Sequence, residues 1–428
     1  MQAGEIVAES WYPSGIATGL ASIEGGPSGF ATYRLSTRWG SFDLLAPLGS
    51  PTDGDWWSQI TSDEGWWGEI PDLTNCEISP LSGIPSIGDG WAWSVKLRGE
   101  GGGELEIRCL PADEHGNGRA LAELDCPYLL SALGGLQYAG QDVLIITPAP
   151  RGVSAVEAIT ELVATKDAAG LNALAEQIGT SLGGFATAAG AAQHLPFTQR
   201  IWNDRLKQIE GWTKAKTLWR APHAPESNGT LTHRNMGLPI IHIEGNDIRF
   251  SGCYDGVVNA ILKPAKTNPA LRDVAALFTS LGQHLASLSA EHYEEGMRAA
   301  ILAGWSSSAP PRWSARRALD THLGGIAIWE YEQHLEALAW AQVTDGKVPA
   351  YSQNCLNRVS RLQAEMFVNR IWSVAGLAAF VVGAWFSFSF LFSGHNPYDL
   401  VVAIPAALAG WLFKSRYHSS ARPPERPI

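Results

Sequence analysis

The chain has 428 residues, enough for two or three structural units, and a formal charge of −11 with only 17% charged residues. No basic cluster stands ahead of its C-terminal end, which excludes a nucleic-acid partner, because phosphate contacts need grouped Lys and Arg. Five cysteines (Cys76, Cys109, Cys126, Cys253 and Cys355) are scattered without a C-x-x-C, so neither a disulfide framework nor a zinc site is indicated. The opening residues Met1 to Glu5 lack a basic start and an apolar stretch, so no secretory leader is expected.

Residues 1–84 hold short strand-like pieces at 6–11, 31–35 and 41–45 divided by Gly, Pro and Ser, which predicts a small, mainly β unit. Tryptophans come in pairs here, Trp56-Trp57 and Trp66-Trp67, and such pairs either line a platform for sugar rings or fill a core. Alternation over 91–97 and 104–110 predicts a hairpin around the turn 99–103, with Gly88 and Gly90 ahead of it as a loop or a plain turn. A helix is expected from about 115 to 124, and strands over 133–139 and 142–147. Beyond Pro148 and Pro150 the period changes to that of helices, over 153–168, 173–193, 197–218, 271–288, 292–305 and 314–342. The Gly and Ala of 173–193 permit close helix contact. No histidine pair has metal-ligand spacing on one helix face, and no metal is assigned.

Between these helices lies Asn228-Gly229-Thr230-Leu231-Thr232-His233-Arg234-Asn235, followed by apolar runs at 239–243 and 247–253 joined by Glu244-Gly245-Asn246. This pattern predicts a β-hairpin whose end faces a cleft. Pro269-Ala270-Leu271-Arg272-Asp273-Val274-Ala275 then opens a long apolar helix. Together the pieces resemble the catalytic centre of maltokinases, in the aminoglycoside-phosphotransferase branch of the kinase-like fold. The pattern there is H-G-D-x-H-x-G-N/Q, a hairpin ending in D-F-E-G, then P-L-R-D-V-A. The resemblance extends over residues 85–345, including Leu136-Gln137-Tyr138 and 318–331, and more loosely over 1–84.

The resemblance implies an α+β, two-lobed kinase-like fold with an N-terminal mainly β cap, and the apolar runs near the C-terminus add a transmembrane helical hairpin. Its units would be a cap (1–84), a small lobe (85–150), a mostly helical large lobe (151–354), a juxtamembrane helix (355–370), the hairpin (371–413) and a basic tail (414–428). It also places functions on residues. The catalytic aspartate falls on Thr230 and the metal aspartate on Arg249, with Asp247 and Asp255 flanking. The phosphate-binding lysine falls on Arg108, and the lobe-bridging glutamate near Gly116, with Glu114 and Glu123 close by. Arg108, Asn235, Arg249 and Asp255 would face a nucleotide. Residues 145–150 would be the hinge that meets an adenine ring, where Pro148 and Pro150 offer no N–H.

Those departures bear on chemistry. One carboxylate orients the attacking hydroxyl and another holds Mg²⁺ against the phosphates. Threonine is uncharged, and loss of a general base costs about 10²–10⁴-fold in rate. Arginine at the metal position repels the ion. His233, beside the vacant acid position, reads either as a substitute base or as a structural residue.

The last stretch points to a membrane. Residues 371–393 form a charge-free run of 23, about 35 Å as a helix, against a hydrocarbon core of about 30 Å. The polar turn 394–399 leads to 400–413, apolar but only 14 residues long and a marginal span. Arg358, Arg361 and Arg370 precede the hairpin, Lys414, Arg416, Arg422 and Arg426 follow it, and the turn between has neither Lys nor Arg. Both flanks are therefore expected on the cytoplasmic side of a cell membrane. Deleting 371–428 is expected to leave a soluble body that folds.

Three readings follow. The first is a membrane-anchored, maltokinase-like pseudokinase that binds a carbohydrate or protein partner as a scaffold, since Arg108, Gly116, Thr230 and Arg249 depart together. The second is an active ATP- and Mg²⁺-dependent carbohydrate kinase in which Asp247 or Asp255 and His233 take over the missing roles. The third is a membrane protein unrelated to kinases.

Overall fold

The computed structural model describes residues 3–8, 12–49, 54–61, 64–68, 77–78, 82–83, 93–98, 104–109, 117–192, 194–195, 199–215, 219, 229–234, 236–252, 258, 262, 267–320, 322 and 325–428. It opens on a short helix, α1 (Ala3–Ala8), where a strand was expected over 6–11. Of Glu5, Ile6 and Val7 only Ile6 is buried, a one-sided contact that a single helical turn satisfies without alternation. Strands β1 (Ala17–Ile23), β2 (Phe30–Thr37) and β3 (Gly40–Pro47) then form an antiparallel meander, and α2 (Gly54–Thr61) packs on it. Trp56 and Trp57 are core residues of this cap: both are buried, and Trp56 Nε1 donates to the Gly29 carbonyl at 2.8 Å.

The second sheet has seven strands. These are β4 (Trp66–Gly68), β5 (Glu77–Ile78), β6 (Ser82–Gly83), β7 (Trp93–Arg98), β8 (Glu104–Cys109), β9 (Gly134–Tyr138) and β10 (Gln141–Pro148). Their order is β4-β9-β10-β8-β7-β5, with β6 also on β7. β4, β5 and β6 therefore belong to the small-lobe sheet, so the cap's own sheet ends well before residue 84. In β10 the run Val143, Leu144, Ile145, Ile146 is buried throughout, as a central strand covered on both faces requires. Asp142, also buried, caps the short helix α3 (Asn117–Ala122): its Oδ2 accepts from the Gly118 N–H at 2.9 Å and its Oδ1 from Gln137 at 2.8 Å.

After the hinge come β11 (Val153–Ser154), α4 (Ala155–Ala164), α5 (Ala168–Ala192), β12 (His194–Leu195) and α6 (Gln199–Thr213). Ser154 and Glu157 form a reciprocal capping box that starts α4. β13 (Gly229–Thr230), β14 (Ile241–Glu244), β15 (Asp247–Phe250) and β16 (Asn268–Pro269) precede the long helices α7 (Leu271–Ser287) and α8 (Glu294–Ser308). The small residues of α5 do let α8 approach. A Cβ on Gly179 would stand 2.1 Å from the Ile301 carbonyl oxygen, and one on Gly304 would stand 2.0 Å from that of Glu176.

One helix expected over 314–342 is three: α9 (Pro311–Ser314), α10 (Arg316–Leu319) and α11 (Ala327–Val343). Gly325 adopts φ 46°, a left-handed backbone that breaks the helix before α11. The core of this lobe is continuous from α4 to α12 (Ala350–Phe392). The cap joins both halves. Its Phe30, Tyr33 and Leu44 pack with Ile107 and Leu144 of the small lobe, while Ile16, Leu35 and Phe42 pack with Val343. At the same seam Trp39 stacks on Trp212 of α6, ring centroids 5.0 Å apart.

α12 is unbroken for 43 residues, about 64 Å, so the juxtamembrane and apolar segments are one helix. Its first half buries Cys355, Leu356, Val359 and Leu362 in the lobe. α13 (Pro397–Ser419) returns beside it for 23 residues, about 35 Å, longer than the apolar run alone suggested. Both are long and apolar enough to cross a membrane by length and composition, and Leu377, Val381, Trp385, Val401 and Leu408 of the pair stand exposed. They meet through small residues: a Cβ on Gly383 would lie 3.2 Å from the Ala403 carbonyl oxygen.

The tail beyond α13 folds back onto the lobe. Ile428 is 1% exposed and sits in the main core. Buried Arg298 donates through Nη2 to the carbonyls of Pro424 (3.1 Å) and Arg426 (3.5 Å), and Glu330 Oε2 accepts the Ile428 N–H at 3.4 Å. His322 stacks on Tyr417 with centroids 4.2 Å apart. The expectation that the body is independent of residues 371–428 is corrected accordingly, because a core position is filled from beyond the hairpin.

Candidate functional site

β13 is the middle strand of a three-stranded ladder, pairing Thr230 with His194 on one side and Asn268 on the other. From it the chain runs through Leu231, Thr232, His233 and Arg234, all buried. The first turn of α7 holds this loop: Asp273 accepts the His233 N–H at 2.8 Å through Oδ2 and the Arg234 N–H at 3.3 Å through Oδ1. Arg272 Nη1 donates to the Arg234 carbonyl at 3.4 Å. Arg234 takes φ 68°, and a non-glycine residue held there costs about 1 kcal/mol or more.

Behind the loop lies a buried ion network. Arg272 pairs with Glu332 (3.2 Å) and Glu336 (2.7 Å), and Arg205 of α6 pairs with the same two carboxylates. Burial opposes the charge of Glu332, but Arg272 and Arg205 outweigh it and hold its carboxyl below the usual range.

The hairpin β14–β15 pairs His242 with Arg249 and Glu244 with Asp247. Segment 128–130 fastens it to the small lobe, with Phe250 N–H donating to the Tyr128 carbonyl at 2.7 Å. A cleft of about 540 Å³ opens between the hairpin, the start of β8 and the hinge. Glu104, Glu244 and Asp247 supply negative charge to its lining, and Arg151 and Arg249 positive charge. His242 also lines it, its Nε2 2.8 Å from Ser251 Oγ. Burial pushes this ring below its ordinary value against the pull of Glu106 and Glu157, so it is neutral near pH 7. Pro148 and Pro150 have no N–H, and the Ala149 N–H between them donates to the Glu104 carbonyl at 2.8 Å. The stretch 148–150 thus has no N–H left for a ligand.

The candidates from sequence separate. Arg249 lines the cleft, as the exposed partner of His242. Arg108 stands on β8, nearly buried beside Glu106 at 3.0 Å, outside the lining given by the described residues. Glu123 pairs with Arg119 on the surface. Thr230 is fully buried. His233 is fully buried between Phe185 and Phe250, with centroids 6.2 and 6.4 Å away. Asn235, Asp255, Gly116, Gly88 and Gly90 lie outside the described residues. No three His, Cys, Asp or Glu side chains converge among the described residues. The described lining does not suit a magnesium nucleotide, because Arg249 puts a fixed positive charge where a metal ion would have to sit among the carboxylates, and the lining carries no excess positive charge for the phosphates. His242, Glu104, Glu244 and Arg151 escaped sequence reading, since only the pairing of hairpin and hinge brings them together.

The buried rings give the fold a pH dependence. Burial lowers both His233 and His334 to about 3, and raises Asp273 to about 6 despite its two N–H donors and Arg272. Above pH 6.5 both rings are neutral, folded or unfolded. Below it the unfolded chain takes protons that the folded rings refuse, so stability falls as pH falls from 6.5 toward 3. Asp273 opposes this between about 4 and 6, where the folded carboxyl keeps a proton that the unfolded one loses. The two rings outweigh the one carboxyl, and acidification from pH 6.5 to 4 is expected to remove about 4 kcal/mol. Chemical denaturation across that range measures it, and His233→Phe should remove about 3 of those 4 kcal/mol; an unchanged slope would refute the assignment to His233.

Among solved structures the chain is similar to glucosamine kinase in two crystal forms. One matches with TM-score 0.55 at 12% identity over 87% of this chain and 99% of that one; the other with 0.53 at 14% identity over 81% and 95%. A complex of glucosamine kinase with glucosamine, ADP and inorganic phosphate matches with TM-score 0.51 at 13% identity, over 85% and 99%. No family model and no curated protein matches the sequence. At this identity the likeness is one of fold: the chain has a mixed α/β, kinase-like phosphotransferase fold.

Proposed function

We propose that the chain is a membrane-anchored, maltokinase-like pseudokinase whose cleft binds rather than phosphorylates. The carrying observation is the cleft's lining. Arg249, which the resemblance aligns with the metal-binding carboxylate, stands in a lining whose other charged groups are Glu104, Glu244, Asp247 and Arg151. A magnesium ion gains nothing beside a fixed positive charge, and triphosphate oxygens would meet three carboxylates. A neutral polar ligand such as a sugar suits such a balanced surface better. Supporting this, the hinge stretch has no N–H for an adenine ring, and Thr230 offers no proton acceptor of carboxylate strength.

The assay is direct. Purified protein with ATP and Mg²⁺ is expected to give no sugar phosphate from maltose or glucosamine. Any ATP binding is expected to be weak and indifferent to Mg²⁺. A ligand at 100 times its Kd adds about 2.7 kcal/mol to the folded state, so a large Mg²⁺-dependent rise in Tm at sub-millimolar ATP would install the active-kinase reading instead.

The membrane part rests on the exposed apolar hairpin and on its basic flanks. Arg358, Arg361 and Arg370 precede it, and Lys414 and Arg416 follow it. By the excess of positive charge on both flanks, body and tail face the cytoplasm. Protease added to sealed inside-out vesicles should digest the body. Protection there would reverse the orientation.

A further inference from the structure

A second cavity, of about 340 Å³, lies where the tail folds back against α8 and α10. Leu302 and Leu319 give it apolar walls, and four charged side chains line it: Arg316, Arg422, Asp320 and Glu425. Two of the four are engaged within the protein. Asp320 accepts the His322 N–H at 2.8 Å, and Arg422 donates to the Pro427 carbonyl. Arg316 and Glu425, by contrast, have no ion-pair partner among the described residues. The cavity thus holds one available cation and one available anion in a lining of zero net charge.

Its position narrows the ligand. The apolar stretch of α13 ends at Phe413, and the helix continues to Ser419, six residues or about 9 Å further. The polar zone on either side of a bilayer's hydrocarbon is about 5–8 Å deep. The tail residues that close the cavity follow directly on that helix end, within reach of a lipid headgroup.

We propose that this cavity takes a phosphoethanolamine group supplied by a membrane phospholipid, its phosphate against Arg316 and its ammonium against Glu425. The proposal rests on the membrane reading above. A purely anionic headgroup would satisfy Arg316 but leave Glu425 and Asp320 facing like charge. A quaternary ammonium balances the charge yet has no N–H to donate to the carboxylate, whereas a primary ammonium has three. The glycerol carbons would lie along Leu302 and Leu319.

The test uses the full chain in detergent, following thermal unfolding with added short-chain phosphatidylethanolamine, phosphatidylcholine or phosphatidylglycerol, water-soluble glycerophosphoethanolamine, or inorganic phosphate. Both ethanolamine compounds should raise Tm, the lipid more strongly. Arg316→Ala and Glu425→Gln, both outside the core, should keep the lipid-free Tm and weaken that binding about tenfold each. Equal or tighter binding of phosphatidylglycerol, phosphatidylcholine or phosphate would overturn the proposal, and so would no binding at all. Membrane insertion is read separately by resistance to alkaline extraction. Release of the chain there, with glycerophosphoethanolamine still bound, would refute the membrane source and leave the headgroup chemistry standing.

Discussion

Replacing Glu332 by alanine is expected to cost about 3–5 kcal/mol, because it removes the buried carboxylate that two guanidinium groups share. Glu332 is fully buried and accepts from both Arg205 and Arg272, so one truncation takes a carboxylate from two largely buried guanidinium groups and leaves Glu336 facing both. The effect should spread to the site. Arg272 also donates to the Arg234 carbonyl, and its neighbour Asp273 holds the loop's two N–H groups. Glu332→Gln keeps shape and one acceptor and should cost less than the alanine variant. Urea denaturation separates the three proteins by midpoint. A loss below about 1 kcal/mol for the alanine variant would mean that Glu336 alone neutralises both arginines.

Removing residues 420–428 is expected to be nearly as damaging, by about 3–5 kcal/mol. Two losses combine there. The core loses the Ile428 side chain, and an aliphatic residue truncated to alanine in such a place costs about 2–5 kcal/mol. Arg298 loses two carbonyl acceptors while Glu294 and Glu330 remain beside it. Ile428→Ala isolates the first loss from the second. Unfolding of the full-length and shortened chains in the same detergent decides the matter, and equal midpoints would show that the tail only rests on the lobe.

Much of the site's frame could be read in the sequence because it is local. The hairpin β14–β15 follows from alternation around Glu244, Gly245 and Asn246, and α7 begins where the stretch 269–275 says it should. Hairpin β7–β8 and strands β9 and β10 came from the same alternation. What escaped depends on distant partners. Trp66 pairs with Leu136 across 70 positions, and nothing near Trp66 announces it. Arg108 carried the charge expected of a phosphate contact, but Glu106 two residues away takes it up. His233 left two readings open in the sequence, a substitute base or a structural residue, and its neighbours in space, Phe185 and Phe250, favour the structural one. The tail gave no signal either. It is Pro-rich and polar, and only the buried Arg298 and Glu330 make a docking place for its one aliphatic residue beyond Ala421.

The docked tail also sets an order of assembly. A core position of the large lobe is filled by Ile428, which is synthesised after both helices of the hairpin. The lobe therefore cannot close its interior while the ribosome is still making the hairpin, and α12 commits its first half to the lobe before its second half exists. With the hairpin in a bilayer, insertion must precede the final step of folding. A chain stalled at that point would display an open seam beside Arg298.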